Sequence, residues 1–368
     1  MLKFQPTALC LAVAVLAAAA CHRTAPPGPA QHVYELREGR WLGADGFRTG
    51  TRWIVDRRIT TQRPARVDSV IDLAGRWVVP PFGEAHNHNI DYSTRARTDS
   101  LIRRYLRDGV FYVKNPGSVP RGRDSLVGRI NVPRGVDAVF AYGLLTATGG
   151  HPTGLYLRNR ARGAMTPADS DGGFLWILDS LPDLERKWPR ILAGRPDFIK
   201  VVLVHSEEFA RRRTDTAFFN WRGLDPALVP EIVRRAHAVG LRVSAHVETA
   251  ADFHTALVSG VDEINHIPGF RGDVLHGAGV RLAIGSDAYR DDSVAEVTYL
   301  ATLGVFTPLQ LLRLWSEATP RAIFPQRRVG CLDDGCEASL LVLDADPSAD
   351  FASTKRITLR MKDGRLLP

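Results

Sequence analysis

The sequence predicts an α/β protein with a parallel (β/α) barrel in its middle and short β segments at both ends. In the middle, apolar strand-like runs alternate with helical patterns, whereas the two ends carry short runs broken by glycine and turn residues. Such alternation is typical of parallel sheets, since each crossover between parallel strands needs a dozen or more residues. A chain of 368 residues, 45% of them hydrophobic, can bury one large core with a smaller companion.

The predicted barrel strands are apolar runs that end in polar or turn residues. They are Pro80–His88, Gly109–Lys114, Val136–Ala141, Phe198–Val204, Leu241–Ala245, Val261–Ile264 and Val280–Ile284. Between two of them, Asp225, Pro226 and Gly240 predict a helix over 225–240, because Asp caps a helix, proline suits its first turn and glycine ends it. His237 in that helix is predicted to be structural.

The end segments are predicted to form β structure. Residues 32–79 include Trp53–Val55 and Ser69–Leu73, and the C-terminal part includes Ala338–Leu343 and Arg356–Met361 before the turn 362–365. We therefore divide the chain into a β domain, residues 32–79 and 328–368, and a barrel over 80–327.

The first residues predict a secretory signal. A basic start precedes the apolar stretch 8–20, which is short for a bilayer span and leads through small residues to Cys21. This ending resembles a bacterial lipoprotein signal in which Cys21 is lipidated; simple secretion is the alternative. We expect a signal peptide over 1–20, a tether over 21–31, and an outer-membrane lipid anchor on the periplasmic face of a Gram-negative envelope.

The charge distribution limits the partners that we expect, and the cysteines indicate an oxidising compartment. The net charge is +8, but the arginines are scattered and no basic motif with interleaved aromatic residues occurs, so nucleic-acid binding is not expected. Cys331 and Cys336 flank a four-residue turn, and a disulfide between them suits an oxidising compartment. Two free thiols are the alternative. Nothing in the sequence sets the oligomeric state.

Six polar residues lie in or just after the predicted strands, at positions that suit a metal site. They are His86, His88, Lys200, His246, His266 and Asp287. In a (β/α) barrel the C-terminal ends of the strands meet at one mouth, so residues distant in sequence come together there. Imidazoles and a carboxylate are ligands of divalent metals. One histidine at a strand end is usually structural, but the ordered set indicates a metal site.

The same set resembles the metal-dependent amidohydrolase superfamily, and the flanking segments resemble its imidazolonepropionase-like and prolidase-like branch. The segments that carry this resemblance are Thr148–Pro152, Ile264–Gly269, Gly279–Asp287, Ser316–Ile323 and Gly335–Pro347. The resemblance covers nearly the whole mature chain. It implies a (β/α)8-type TIM barrel beside a small β-sandwich formed by both chain ends.

The resemblance also implies two divalent metal ions, with zinc favoured, bridged by a carboxylated Lys200. A lysine surrounded by Phe198, Ile199 and Val201 is more easily neutral and can then take up carbon dioxide. An ordinary lysine at the barrel rim is the alternative.

Within that implied site, His86, His88 and Asp287 hold the buried metal, and His246 and His266 hold the exposed one. A hydroxide held between the metals would attack the carbonyl carbon of a small-molecule amide, cyclic amide or dipeptide, whose carbon–nitrogen bond would then break. Asp287 acts as general base and then as general acid.

His151 and Tyr156 are predicted substrate contacts, because glycines 149 and 150 allow close backbone approach and a phenol follows. A capped loop histidine and a packed aromatic residue are the respective alternatives. Lys114 and Asn115 are weaker candidates for contact with the site. Glu207 and Glu208 are expected to be solvated or bound within a loop.

The spacing departs from the family pattern after His246. From His246 to His266 is 20 positions and from His266 to Asp287 is 21, although the family places two β/α units in the second interval. About one unit is therefore missing, and we place the deletion near residues 270–274. Either seven strands close the barrel or a gap separates the sixth strand from the last.

Two other functions remain open. A mononuclear deaminase of the same superfamily shares the histidines and the aspartate but does not use the lysine bridge. A non-catalytic metal-binding envelope lipoprotein with a degraded barrel is the third possibility.

Overall fold

A computed structural model describes residues 32–90, 95–119, 126–266 and 281–368. The predicted signal, tether and lipidated Cys21 lie outside these residues, as does the deletion near 270–274. In the described part, no helix combines the length and apolar character that crossing a membrane requires.

The strands of the described residues are short, apart from the first hairpin. In chain order they are β1 (Tyr34–Gly43), β2 (Gly46–Val55), β3 (Arg58–Thr60), β4 (Ser69–Asp72), β5 (Trp77–Val79), β6 (Phe82–Glu84), β7 (Val110–Asn115), β8 (Asp137–Phe140), β9 (Leu144–Thr146), β10 (Leu175–Ile177), β11 (Ile199–Val202), β12 (Val243–His246), β13 (Glu263–Asn265), β14 (Leu340–Leu343), β15 (Ile357–Lys362) and β16 (Arg365–Leu367).

The helices concentrate between β6 and β14. They are α1 (Arg95–Arg107), α2 (Thr153–Ala161), α3 (Leu181–Ala193), α4 (Phe209–Arg212), α5 (Val229–Ala238), α6 (Ala250–Val258), α7 (Ser293–Leu303), α8 (Pro308–Arg313) and α9 (Thr319–Ile323), with a π-helical turn at Leu314–Ala318. Short 3-10 turns occur at Pro167–Ser170, Ser206–Glu208, Thr216–Phe218, Pro226–Leu228 and Phe351–Lys355.

Both chain ends contribute to one eight-stranded sheet. Its order is β16-β15-β14-β5-β1-β2-β3, and β4 also pairs with β1. The two ends meet where β14 lies antiparallel to β5, with Leu341 opposite Val79. The β structure predicted for the two ends is thus present as one sheet. Cys331 and Cys336, which precede β14, are joined by a disulfide.

The strands between these ends are parallel, as the alternating pattern predicts. One sheet has the order β6-β7-β8 and the other the order β10-β9-β11-β12-β13. The amide of Asp197, just before β11, donates to the carbonyl of Phe140 in β8 (2.8 Å), so the two sheets are neighbours. The molecule therefore has an α/β fold with parallel sheets.

The predicted strand at 280–284 is not a regular strand within the residues described. Residues 281–288 instead lie beside β6 and the residues that follow it, through Ala85 N to Ile284 O (2.8 Å), Asp287 N to His86 O (2.7 Å) and a parallel bridge between Asn87 and Ala288. Strands β9 and β10 were not predicted. Tyr142 and Gly143 have positive φ angles (51° and 114°), which separates β9 from β8 and shortens both runs.

The helix predicted over 225–240 forms in two pieces. Asp225 caps a 3-10 turn by accepting from the amide of Ala227 (3.0 Å), and α5 begins only at Val229. Pro230 has no amide hydrogen to donate to the preceding turn, so the α-helical ladder cannot run back to Pro226. Gly240 follows the helix with φ of 74°. His237 is exposed and lies 2.9 Å from Asp262, a surface ion pair and not a site residue.

Two large apolar cores and one smaller cluster support the strands of the described residues. The larger joins the eight-stranded sheet to β6, β7 and β8, and includes a stack of Phe82 on Trp315 with ring centroids 3.6 Å apart. The second lies between β11, β12 and helices α3 and α5. Burying this apolar surface is the main source of stability, and it leaves the C-terminal ends of the parallel strands free for polar residues.

Candidate metal centre

His86 and His88 converge on Asp287. Their Nε2 atoms lie 3.3 and 3.1 Å from the same carboxylate oxygen, Oδ1 of Asp287. The side chains of both histidines are about 10% exposed, whereas that of Asp287 is 51% exposed. The group is therefore buried on its strand side and open on the side of the carboxylate.

The carboxylate of Glu84 and a glycine hold the two segments at this distance. Buried Glu84 in β6 accepts from the amides of His86 and Ser286 (both 3.0 Å) and from Oγ of Ser286 (2.8 Å). Burial raises the pKa of Glu84 to about 8. Gly285 allows the close approach, because a Cβ there would lie 2.7 Å from the Cβ of His86.

His246 and His266 approach from the neighbouring strands. His246 ends β12 and His266 follows β13, and their ring centroids are 4.7 Å apart. The ring of His266 is also 4.9 Å from that of His86, so this ring links the two pairs of histidines. His266 and Asp287 both have positive φ, 67° and 49°, a region that non-glycine residues seldom adopt and that clusters at functional sites.

Lys200 lies inside the parallel strands beside this group. Its side chain is fully buried in β11, and its Nζ donates to Oδ1 of Asn265. Burial lowers the pKa of Lys200 to about 7, and the positive charge of Lys114 adds to this effect. A substantial share of the amine is therefore uncharged near neutral pH.

The two predicted substrate contacts lie in different environments. The ring of His151 stacks on that of His246 with centroids 4.7 Å apart, so it borders the group. Burial, and then the nearby His246, lower the pKa of His151 to about 4. Tyr156 is instead packed in an apolar cluster with Phe174 and Leu175, and its hydroxyl donates to the carbonyl of Thr166 (3.2 Å). For Tyr156 the structure favours the packed alternative, because in α2 its side chain points into the core.

Lys114, Asn115 and the acidic pair are bound within the structure. Lys114 pairs with Glu263 (2.5 Å), and Nδ2 of Asn115 donates to the carbonyl of Ile90 (2.8 Å). Glu208 accepts from Arg212 (2.6 Å), while Glu207 accepts from Thr249 (3.0 Å). Glu208 is thus bound within its own segment, and Glu207 contacts the residue that caps α6.

The donor set suits a divalent cation. One ligand atom from each of His86, His266 and Asp287 lies within 4.8 Å of the others. Burial lowers the pKa of His86 well below its usual value and that of His266 to about 4, so both rings are neutral and keep a lone pair. Burial alone would raise the pKa of Asp287, but hydrogen bonds from His86 and His88 outweigh it and hold that pKa far below its usual value. Neutral imidazoles beside a carboxylate match the preference of zinc and similar ions.

Among the residues near the group that the sequence did not predict, three stand out. Glu84 ties the segments of His86 and Asp287 together, Asn265 contacts Lys200, and Tyr289 stacks on His88 with ring centroids 5.0 Å apart. Glu84 and His86 alternate on one face of an extended chain, which was a usable signal. The positions of Asn265 and Tyr289 relative to the group depend on how distant segments pack.

Comparison with known proteins supports the fold. No family model and no curated protein matches the chain. Solved structures do match: an amidohydrolase at 22% identity (TM-score 0.71), covering 91% of this chain and 98% of that one, and the A. niger ochratoxinase at 19% (TM-score 0.71), covering 92% and 96%. A prolidase in complex with N-methylphosphonate-L-proline matches at 18% (TM-score 0.72), covering 91% and 99%.

The chain thus has the fold of the amidohydrolase superfamily, and its structural neighbours include the prolidase-like branch that the sequence motifs indicate. A Xaa-Pro dipeptidase with bound methionine in its active site is a further match, at 16% identity and a TM-score of 0.71, covering 91% of this chain and 100% of that one. At these identities the similarity establishes the fold; the activity has to be argued from the site.

Proposed function

We propose that this protein is a metal-dependent hydrolase of a carbon–nitrogen bond in a non-peptide amide, a cyclic amide or a dipeptide. The observation that carries the proposal is the convergence of neutral imidazoles and an ionised carboxylate, with three ligand atoms within 4.8 Å of one another. Neighbours named as an amidohydrolase, a prolidase, a molinate hydrolase and a phenylurea hydrolase support this class of reaction.

Two divalent ions, with zinc favoured, fit the donors. His86, His88 and Asp287 would hold one, His246 and His266 the other, and a carboxylated Lys200 would bridge them. When bound, such ions lower the pKa of water and polarise the scissile carbonyl.

The chain's own residues would then bind the substrate and transfer the proton. Asp287 is the exposed carboxylate of the group, so it can accept a proton from the attacking water and give it to the leaving nitrogen. His151, stacked on His246, would contact the substrate through its neutral ring.

The same proposal includes an incomplete barrel anchored in the envelope through Cys21. The parallel strands, with 281–288 beside β6, would enclose the site with about one β/α unit fewer than usual. At the end of α6, Leu257 and Val258 are 60% and 67% exposed, which fits the loss of a neighbouring element.

A mononuclear deaminase is the second candidate. One observation favours it: the compact group of His86, His266 and Asp287 provides ligands for a single ion. A non-catalytic metal-binding protein is what would remain if neither activity is found.

The test uses protein that lacks residues 1–21. Elemental analysis of purified protein is paired with a screen of dipeptides, lactams and other amides, and of amino-substituted heterocycles. Two metals per chain and turnover of an amide are expected. One metal with release of ammonia from a heterocycle would indicate the deaminase, and bound metal without turnover in folded protein would contradict the hydrolase.

A further inference from the structure

Lys200 belongs to a row of polar side chains inside the parallel strands. Its other members are Lys114 in β7, Ser244 in β12, and Glu263 and Asn265 in β13. Lys114, Ser244 and Asn265 are 5%, 1% and 6% exposed. Burying polar groups is unfavourable unless each is hydrogen-bonded, so the arrangement of this row is specific.

The hydrogen bonds of the row converge on Glu263. Nζ of Lys114 and Nδ2 of Asn265 both donate to Oε1 of Glu263, at 2.5 and 3.0 Å. Glu263 and Asn265 can act together because residues two apart on a strand share a face.

The other end of Asn265 faces the candidate metal centre. Its Oδ1 accepts from Oγ of Ser244 (2.7 Å) and from Nζ of Lys200. An ionised carboxylate only accepts hydrogen bonds, so Glu263 requires the NH₂ group of Asn265 on its side and leaves the carbonyl oxygen for Lys200.

We propose that Asn265 is a positioning residue that holds Nζ of Lys200 through carboxylation, and that the Lys114–Glu263 pair sets its orientation. This inference rests on the proposed function. When neutral Lys200 reacts with carbon dioxide, the nitrogen lone pair forms the N–C bond and one C=O electron pair moves onto oxygen. One N–H proton leaves to water, and the other remains on nitrogen.

That remaining N–H needs an acceptor in a buried site, and Oδ1 of Asn265 is in place to accept it. The bond also fixes rotation about the terminal bond of the side chain, so that the new carboxylate points to the side opposite Asn265. Loss of one buried partner typically costs about ten- to a hundredfold in an equilibrium.

The experiment follows carboxylation directly. Wild-type protein and Asn265→Leu are stripped of metal, then reconstituted with zinc and ¹³C-labelled bicarbonate over a range of concentrations. The carbamate ¹³C signal and the metal content are recorded. The bicarbonate concentration for half-maximal reconstitution should rise about ten- to a hundredfold in Asn265→Leu.

A control is Asn131→Leu. Asn131 also bonds through both ends of its side chain, since Nδ2 donates to the carbonyl of Ala138 (3.1 Å) and Oδ1 accepts from the amide of Ala138 (2.8 Å). It is exposed, unlike Asn265, and lies away from the histidines. This variant should lose stability without a change in bicarbonate requirement, so a merely structural effect is separated from positioning.

If Asn265→Leu does not fold, Glu263→Gln tests the same inference. The new amide can donate to Asn265, so the asparagine is no longer held in one orientation and the bicarbonate requirement should rise. An unchanged requirement in the variant that folds overturns the inference while the proposed function stands. Wild-type protein that hydrolyses no amide and gives no carbamate signal overturns the proposed function itself.

Discussion

The two halves of the candidate metal centre are held by different kinds of contact. The first half comprises His86, His88 and Asp287, and the second comprises His246 and His266. In the first half, backbone hydrogen bonds join the segment after β6 both to 281–288 and to β7, where the amide of Asn87 donates to the carbonyl of Lys114 (3.1 Å). The positions of these ligands are therefore set by the main chain and by the buried carboxylate of Glu84, which bonds to the amides of His86 and Ser286.

In the second half, His246 ends β12 in a regular ladder between β11 and β13, whereas His266 depends more on side chains. His266 follows β13, which is the last strand of its sheet among the described residues and pairs there with β12 alone. Behind it, the row from Lys114 through Glu263 and Asn265 supplies the remaining contacts. We infer that the first half keeps its geometry without ions, whereas His266 in the second half needs the polar row, and bound metal, to be held equally well.

The largest expected effect comes from Lys200, the residue between the halves. Lys200→Ala should reduce the metal content to about one ion per chain or less and abolish hydrolysis, because the bridge between the two ions is lost. Metal is measured by elemental analysis and turnover with the amide found in the screen.

Lys187→Ala is the matched control for this lysine. Lys187 is also buried, and its Nζ donates to Asp171 (2.6 Å), outside the group of histidines. Its replacement should lower stability without a change in metal stoichiometry. Unchanged metal and rate in Lys200→Ala would rule out the binuclear site.

Asp287→Asn should separate chemistry from binding in the first half. The amide cannot accept the proton, so turnover should fall about 10²- to 10⁴-fold, while His86 and His88 still retain part of the metal. The comparison is kcat against metal content, with Asp291→Asn as the control because its exposed carboxylate lies in the same segment. Equal losses of metal and turnover would mean that Asp287 is only a ligand.

Much of this fold follows from sequence patterns. The apolar runs near Val110, Ile199 and Val243 are strands, and the alternation with helices predicts the parallel sheets. Strand β9 was not predicted because it has three residues and follows Gly143, whose positive φ breaks the extended run. The strand predicted at 280–284 failed in its described part because its contacts with the first strand are scattered bonds and not a regular ladder.

The site was predictable to a similar degree. The six residues that the sequence predicts as metal ligands lie close together, although their role as ligands stays a prediction. Side-chain direction could not be read from one sequence: Tyr156 points into the core, while Tyr289 stacks on His88. Asn265 lies beside His266 in sequence, yet its contact with Lys200 joins strands 65 residues apart.

A smaller effect should come from Gly285, which tests the backbone basis of the first half. Gly285→Ala places a methyl group 2.7 Å from Cβ of His86, so the two segments must separate. We expect a loss of about 1–3 kcal/mol in the free energy of unfolding and weaker retention of metal. Urea denaturation and metal titration measure both.

Gly43→Ala is the control for that change. A Cβ at Gly43 meets only the carbonyl of Gly46, at 3.7 Å, an ordinary contact. Its effect should stay within about 0.5 kcal/mol. If both variants behave alike, close approach at Gly285 does not position the first half.

The smallest effect concerns α5, which packs against β11 and β12 behind the second half. Hydrogen bonds from Arg234 and then Arg235 lower the pKa of Glu231 from its ordinary value of 4.5 to about 2. A lowered carboxyl pKa stabilises the fold above the ordinary value, and that stability is lost as the pH falls from about 4.5 to about 2. Glu231→Gln should therefore lower Tm slightly at pH 6 and not at pH 2.

Because these ion pairs are accessible to solvent, 1 M salt should shrink the difference at pH 6. A difference that persists at pH 2 would mean that Glu231 acts through packing and not through its charge.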